Sequence, residues 1–441
     1  MTTSDAVPQR YRVAVIGGGP AGLFAAIRYA ESAVAARLDN SGHTVEPGAW
    51  PGIVVLERRT HPCRKLLVAG SGQCNLTHAG PVGDFAEHYG GGAKPGAVAR
   101  FLKPALLEFS NTELLDWFRT HGLDFEEEEG GKVFPVTRKA SSVLDILLAE
   151  AKRLGVEIRG ERRVMSLATV DGGFVIETAQ EKIRAEAVLV AAGGASYPVT
   201  GSSGDGYALA AALGHAVVAA RPALAPVYVA DFRLASVAGL SFRGAGLTIR
   251  RDGRKLSSRV GDILITHKGI SGPLVLDASR GIRPGDRLEV RFAAIGLEAF
   301  RTHLDKLLAA APRRLVKTVL SDCGLPRSLA ESFCKLTGLA DSAIAADLKR
   351  SARETLCTLA CACPLDVSAL GDFDEAMATA GGVDLAEVDA KTMQSRLVPG
   401  LFFAGEVLDF DGDTGGYNLQ AAFSTGALAA KALAARSPAA S

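Results

Sequence analysis

Three glycines, Gly17, Gly19 and Gly22, stand in a G-x-G-x-x-G spacing directly after the apolar, β-branched residues 11–16 and before the Ala-rich residues 23–38. The order is strand, glycine turn, helix, the context in which this spacing holds a dinucleotide. Gly17 permits the tight turn and Gly19 lets the backbone approach a pyrophosphate. Pro20 and Ala21 open the helix, and Gly22 lets it pack closely on the strand. The phosphates then lie at the positive end of that helix. A tight turn with no ligand is the plain alternative for the same residues. A second apolar run, residues 53–56, ends in Glu57, whose carboxylate can accept hydrogen bonds from an adenosine ribose. A surface acid at a strand end is the alternative there. Gly22 and Glu57 are 35 positions apart, against about 20 in the usual pattern. The excess, rich in turn-forming residues at 39–42 and 47–48, is expected in the helix-to-strand connection at the sheet edge away from the ligand, where insertion is tolerated.

Two further runs have the character of buried parallel strands, apolar throughout instead of alternating: residues 187–192, closing on Gly193-Gly194, and residues 401–404, closing on Gly405. Four such runs predict one parallel sheet whose carboxyl ends line a crevice. Between the third and fourth runs the texture changes. Residues 225–292 alternate and are broken by Gly, Asp and Pro, which predicts antiparallel β structure. Residues 297–359 show apolar spacings of three and four, which predicts short helices. The fold class expected is therefore α/β. A Rossmann-like domain is formed by residues 1–200 and 376–441, with a β-rich insert at 201–296 and a helical insert at 297–375.

Composition narrows the function classes. A chain of 441 residues exceeds what one core usually supports. Lys and Arg number 49 against 48 Asp and Glu, a formal charge of +1, which provides no overall field for nucleic acid or an anionic membrane. No signal-peptide-like or membrane-spanning apolar run is present in the sequence. Seven scattered cysteines, including Cys74, Cys361 and Cys363, form no paired framework, so a reduced, cytoplasmic protein with structural thiols is expected. No HExxH, CxxC or carboxylate cluster with metal-ligand spacing is present, so no metal is expected.

Eight ordered blocks resemble one family, the bacterial flavoproteins described as aminoacetone oxidases and as BaiN-like bile-acid enone reductases. They are residues 17–22, 64–77, 131–135, 193–198, 201–207, 266–273, 381–383 and 400–420. The resemblance implies FAD as cofactor, with Glu57 on the adenosine ribose and Arg64, Lys65 and Asn75 along the flavin. It further implies Gly193 beside the cofactor, Gly405 and Glu406 at the pyrophosphate and ribityl chain, and Gly416, Tyr417, Asn418 and Leu419 opening a helix beneath the flavin ring. A helix N-terminus there suits the reduced flavin, which is negative near N1 and the C2 carbonyl.

The activity implied is FAD-dependent oxidation–reduction of a small or hydrophobic organic substrate, by enone reduction or amine oxidation. NADH or NADPH is the candidate electron donor, although no second glycine fingerprint is present for it. His267 is the candidate acid, base or substrate contact, with residues 266–269 expected at the pocket edge. Tyr197 is a candidate hydrogen-bond donor. For both, a structural role is the alternative. Nucleic acid and membrane are not expected as partners. Two rival functions stay open, a flavin-dependent RNA-modifying enzyme and a non-catalytic flavin sensor.

Overall fold

The computed structural model describes residues 9–41, 52–92, 94 and 96–436. The apolar, β-branched run near the amino terminus forms β1 (Gln9–Ile16), whose last four residues are all buried. The chain turns at Gly17 with φ of +106° and enters α1 (Pro20–Ser41). Proline suits that first helical position, because its fixed φ is already helical and the missing N–H has no partner to lose. The excess residues before Glu57 fall largely outside the described residues, since α1 runs to Ser41 and the next described strand is β2 (Ile53–Leu56). Next come the two-residue β3 (Thr77–His78), then β4 (Glu157–Arg159), β5 (Val164–Val170), β6 (Gly173–Thr178) and β7 (Lys182–Val190).

All of these strands except β3 form one seven-stranded sheet of order β4-β2-β1-β7-β6-β5, with β14 (Leu401–Phe403) pairing on β7 as the seventh strand. The pairs β1–β2, β1–β7 and β7–β14 are parallel. All four residues of β2 and all three of β14 are buried, as a sheet covered on both faces requires. Register decides what this sheet can do. Ile16 lies opposite both Leu56 and Val190, and Val190 lies opposite Phe403. The carboxyl ends are therefore level, and the residues that follow them, Gly17, Glu57, Ala191 and Ala404, leave the sheet along one edge.

The long helix α3 (Tyr417–Ala434) packs on α1. Close approach is possible because Gly426 lacks a side chain; a Cβ there would lie 2.5 Å from the Ala21 carbonyl oxygen. The α/β class expected from the sequence is the one observed, with antiparallel strands added to the parallel sheet.

The chain divides into two compact units, residues 1–221 with 377–441, and residues 222–376. In the second unit a closed barrel has the strand order β8-β11-β10-β9-β12-β13. Its strands are β8 (Val227–Val229), β9 (Ser241–Arg251), β10 (Arg254–Ile265), β11 (Gly269–Ser271), β12 (Arg287–Arg291) and β13 (Cys363–Leu370). Helices over Leu297–Ala310, Val316–Asp322, Arg327–Leu336 and Arg350–Ala362 accompany it. The β-rich and helical stretches share one apolar core, in which Leu247, Ile263 and Val290 of the barrel join Phe300, Leu304 and Phe333 of the helices. Among the described residues no helix is long and apolar enough to cross a membrane.

Candidate functional site

The glycine turn separates positions that the fold demands from one that it does not. A Cβ at Gly17 would lie 2.4 Å from the Ala191 carbonyl oxygen, and one at Gly22 would lie 2.1 Å from the Gly17 carbonyl oxygen. Both glycines are required by packing alone. At Gly19 an added Cβ meets nothing within 4 Å among the described residues, so the site faces open space at the start of α1, where helix amides carry partial positive charge. Pro20 is the first residue of that helix, and Ala21 is buried in contact distance of Gly405.

Glu57 ties the turn to the second strand. One carboxylate oxygen accepts from the Gly18 amide at 2.9 Å and the other from the Arg59 amide at 2.8 Å. An ionised carboxylate offers about four acceptor positions, so two contacts leave capacity for a ribose. The neighbouring Arg59 donates to the carbonyl oxygens of Pro198 and Val199, while its Nε is buried with no partner among the described residues. An open cradle at Gly19 and an orphaned donor next to Glu57 are what a site shaped for a bound adenosine diphosphate moiety would show, so the residues present fit FAD.

Beyond the sheet edge, the structure joins two expected residues that are 341 positions apart. Lys65 Nζ lies 2.8 and 3.0 Å from the Glu406 carboxylate oxygens and donates to Ser196 Oγ at 2.6 Å. Glu406 also accepts from the Thr379 amide at 2.9 Å and from Ser196 Oγ at 3.3 Å. Its charge is thus engaged within the protein. Gly405 adopts φ of +74° and donates its amide to Thr425 Oγ1. Gly193, at φ of +73°, has only Ser202 Oγ and Glu406 within 4 Å of where a side chain would be. Ser196, inside the resembling block 193–198, and Thr379, buried in the strand Ala378–Val383, were not singled out from the sequence, where nothing in their spacing marks them.

The other expected residues have mixed surroundings. Arg64 is exposed. Asn75 accepts from the Val133 amide at 3.2 Å. Gly416 precedes α3 at φ of +98°, a conformation few side chains adopt, and a Cβ there would lie 2.5 Å from the Thr77 backbone. Tyr417 is buried, with the Tyr89 hydroxyl donating to its carbonyl oxygen. Asn418 is occupied by Gly412, accepting from its amide and donating to its carbonyl oxygen at 2.8 Å each, and Leu419 packs against the core. Tyr197 sits at φ of +53°, half-buried. His267 is exposed in the turn between β10 and β11 of the second unit. One further group, Glu31, His121 and Glu150, brings its donor atoms within 4.8 Å of one another. Arg28 and Arg153 already pair with its two carboxylates, which accounts for the cluster as an ion network.

A parallel sheet with level carboxyl ends, a glycine turn opening a helix and an acid closing the second strand define a Rossmann-type flavoprotein, an FAD-dependent oxidoreductase. Within that class, the chain belongs to the family described as the HI0933-like protein Rossmann domain, whose model matches residues 11–432. The chain is 33% identical over 436 residues to a 3-dehydro-bile acid delta(4,6)-reductase of Clostridium scindens, covering 96% of this chain and 99% of that one. It is 29% identical over 418 residues to a ribosomal RNA dihydrouridine synthase of Escherichia coli, covering 95% and 96%. A solved 3-ketosteroid-delta4-(5alpha)-dehydrogenase from Rhodococcus jostii RHA1 has 18% identity and a TM-score of 0.49, with 98% and 99% covered. With a relative named for ribosomal RNA, the near-zero net charge no longer supports excluding a nucleic-acid partner.

Proposed function

We propose that this chain is an FAD-dependent reductase of a carbon–carbon double bond conjugated to a carbonyl, with NADH or NADPH as the electron donor. The observation that carries the cofactor assignment is the level sheet edge, where the open position at Gly19, the Glu57 carboxylate, Gly193 and Gly405 follow four adjacent strand ends. The direction of the reaction is supported by the names of two relatives. A delta(4,6)-reductase and a dihydrouridine synthase both add hydrogen across a C=C bond, and in uracil that bond is conjugated to a carbonyl.

Bound FAD would supply the hydride chemistry. The chain's residues would hold and bias it. The backbone at Gly19 and the first amides of α1 would take the pyrophosphate, and Glu57 would take the adenosine ribose. Lys65, fixed by Glu406 and Ser196, would keep a cation in place beside Gly193, with Arg64 and Asn75 further along the flavin. The first amides of α3, from Tyr417 to Leu419, would stabilise negative charge on the reduced ring by about 0.3–1 kcal/mol. Tyr197 would serve as a hydrogen-bond donor to substrate or cofactor. Anaerobic mixing tests this reading: NADH or NADPH should bleach the flavin, and a 4-en-3-one should restore its colour with one saturated product per flavin reoxidised. Restoration by oxygen alone would refute it.

A second reading has its own observation. Near-neutrality holds only for the whole chain. Residues 222–376 carry 22 Lys and Arg against 17 Asp and Glu, a formal +5, and the remaining residues carry 27 against 31, a formal −4. Arg254, Lys255 and Arg259 are exposed on β10. A basic unit of this kind suits the phosphate backbone of RNA, with a uracil as the double bond reduced. Mapping dihydrouridine in rRNA incubated with the reduced protein decides between the substrates.

A further inference from the structure

His78 stands beside the start of α3 and is held there rigidly. β3 carries it, and Thr77 is pressed against Gly416 and donates its hydroxyl to Gln420 Oε1 at 2.6 Å. The His78 ring is placed as firmly. Nδ1 lies 2.7 Å from the Ala79 carbonyl oxygen and Nε2 lies 2.9 Å from the Gly130 carbonyl oxygen. Gly131 leaves the room for it, since a Cβ there would lie 2.3 Å from His78 Cε1.

A carbonyl oxygen only accepts, so each contact requires a proton on the facing nitrogen, and a ring with both protons is a cation. Both hydrogen-bond partners of the ring are neutral backbone groups. The neighbouring His88 differs, because its Nδ1 lies 3.2 Å from the Asp413 carboxylate. Both rings lie nearly parallel to Tyr417, the first residue of α3, with centroids at 4.9 Å for His78 and 4.2 Å for His88. A cation next to the positive end of a helix is unfavourable unless an anion completes the site.

We propose that His78 is a fixed positive charge that stabilises the anionic reduced flavin at the start of α3, an inference that rests on the flavin placement proposed above. His78 acts here through its charge and touches Tyr417. It differs in this from the α3 amides, which contribute only partial charges.

The test uses the FAD-loaded protein and readouts other than turnover. Sulfite adds to oxidised flavin and leaves a negative ring, so its dissociation constant, read from bleaching, reports positive charge nearby. His78→Gln should weaken sulfite binding about tenfold and lower the two-electron midpoint potential by the equivalent, about 30 mV, with FAD content unchanged. His78→Lys, which restores a cation, should recover most of both. A glutamine variant with wild-type sulfite affinity and potential would overturn the proposal.

Should the variants lose FAD, nitrogen-15 spectra of the wild-type holoprotein at pH 7 decide. Protons on both ring nitrogens of His78 support the proposal, and a neutral tautomer refutes it while leaving the flavin placement standing. Where the variants keep FAD, a doubly protonated ring whose removal leaves the potential unchanged refutes it in the other way, by speaking against a flavin at the start of α3.

Discussion

Gly19→Val separates space kept for a ligand from space the fold needs. Nothing lies within 4 Å of the added Cβ at Gly19, and the following Pro20 already favours the extended backbone that valine tolerates. The stability of the FAD-free protein should therefore change by no more than about 0.5 kcal/mol, as for a surface substitution. The effect on the loaded protein is different. Ligand at a hundredfold excess over its dissociation constant stabilises the folded state by about 2.7 kcal/mol. With an unfolding entropy of about 2.1 cal/mol/K per residue, or about 0.9 kcal/mol/K for a chain of 441 residues, that is a rise of about 3 °C in melting temperature on adding FAD. Wild type should show the rise, and Gly19→Val, whose side chain fills the phosphate path, should show none. Gly22→Ala is the contrasting control. Its Cβ would lie 2.1 Å from a backbone oxygen, so it should melt lower even without FAD. Thermal melts with and without FAD, paired with the absorbance of an acid extract, read all three proteins. A full FAD complement in Gly19→Val would refute the reasoning, as would a large loss of stability in its FAD-free form.

Three further outcomes are expected. A double-mutant cycle on Lys65→Met and Glu406→Gln should give a coupling of about 0.5–3 kcal/mol in thermal or urea unfolding, as for residues in one ion-paired network; additive effects would show that the pair does not interact. Burial holds the Asp409 carboxyl above the usual carboxylate range, opposed by the hydrogen bond from the Gly92 amide. The folded chain therefore binds this proton more tightly than the unfolded chain, and stability falls as pH rises from the unfolded value of about 4 through the raised one. Asp409→Asn should gain melting temperature over wild type across that window and hold the gain above it, and a gap that stays constant from low to neutral pH would contradict this. Burial also pushes the Cys74 thiol up to about 12 and Cys63 still higher, so neither should react with Ellman's reagent at pH 8 until denaturant is added. Rapid labelling of either in the native protein would show that the burial is not maintained.

The sequence revealed the features that local chemistry writes into a short stretch. The apolar runs at residues 11–16, 53–56, 187–192 and 401–404 contain strands of one parallel sheet, because a strand covered on both faces must be apolar throughout. The glycine spacing marked the turn because two of its three members leave no room for a side chain. Contacts between distant segments left no such mark. Lys65 and Glu406 are each implied by a family resemblance, but their pairing is set by how the sheet is wound. His78 looked ordinary because its two acceptors are backbone carbonyls, which any residues could supply. Arg59 lies in no motif or spacing that would mark its side chain for the site. The charge argument against a nucleic-acid partner loses its support for a similar reason: a charge summed over 441 residues conceals a difference of sign between two units of the same chain.

The pairing of β7 with β14 also sets a timetable for synthesis. β1 is made long before β14, and the sheet that it anchors lacks a strand until residues 401–403 have followed. At roughly 5–20 residues per second the interval is about 20–80 s. In that interval the nascent chain holds apolar strand edges and half of a nucleotide site, and residues 222–376 emerge with a complete barrel core of their own. Cofactor capture that uses the proposed positions at Gly405 and Glu406 would have to wait until that strand has been made. A stop between residues 401 and 434 would release a chain that lacks β14 or part of α3, which makes saturation with FAD a natural test that this stretch has been made.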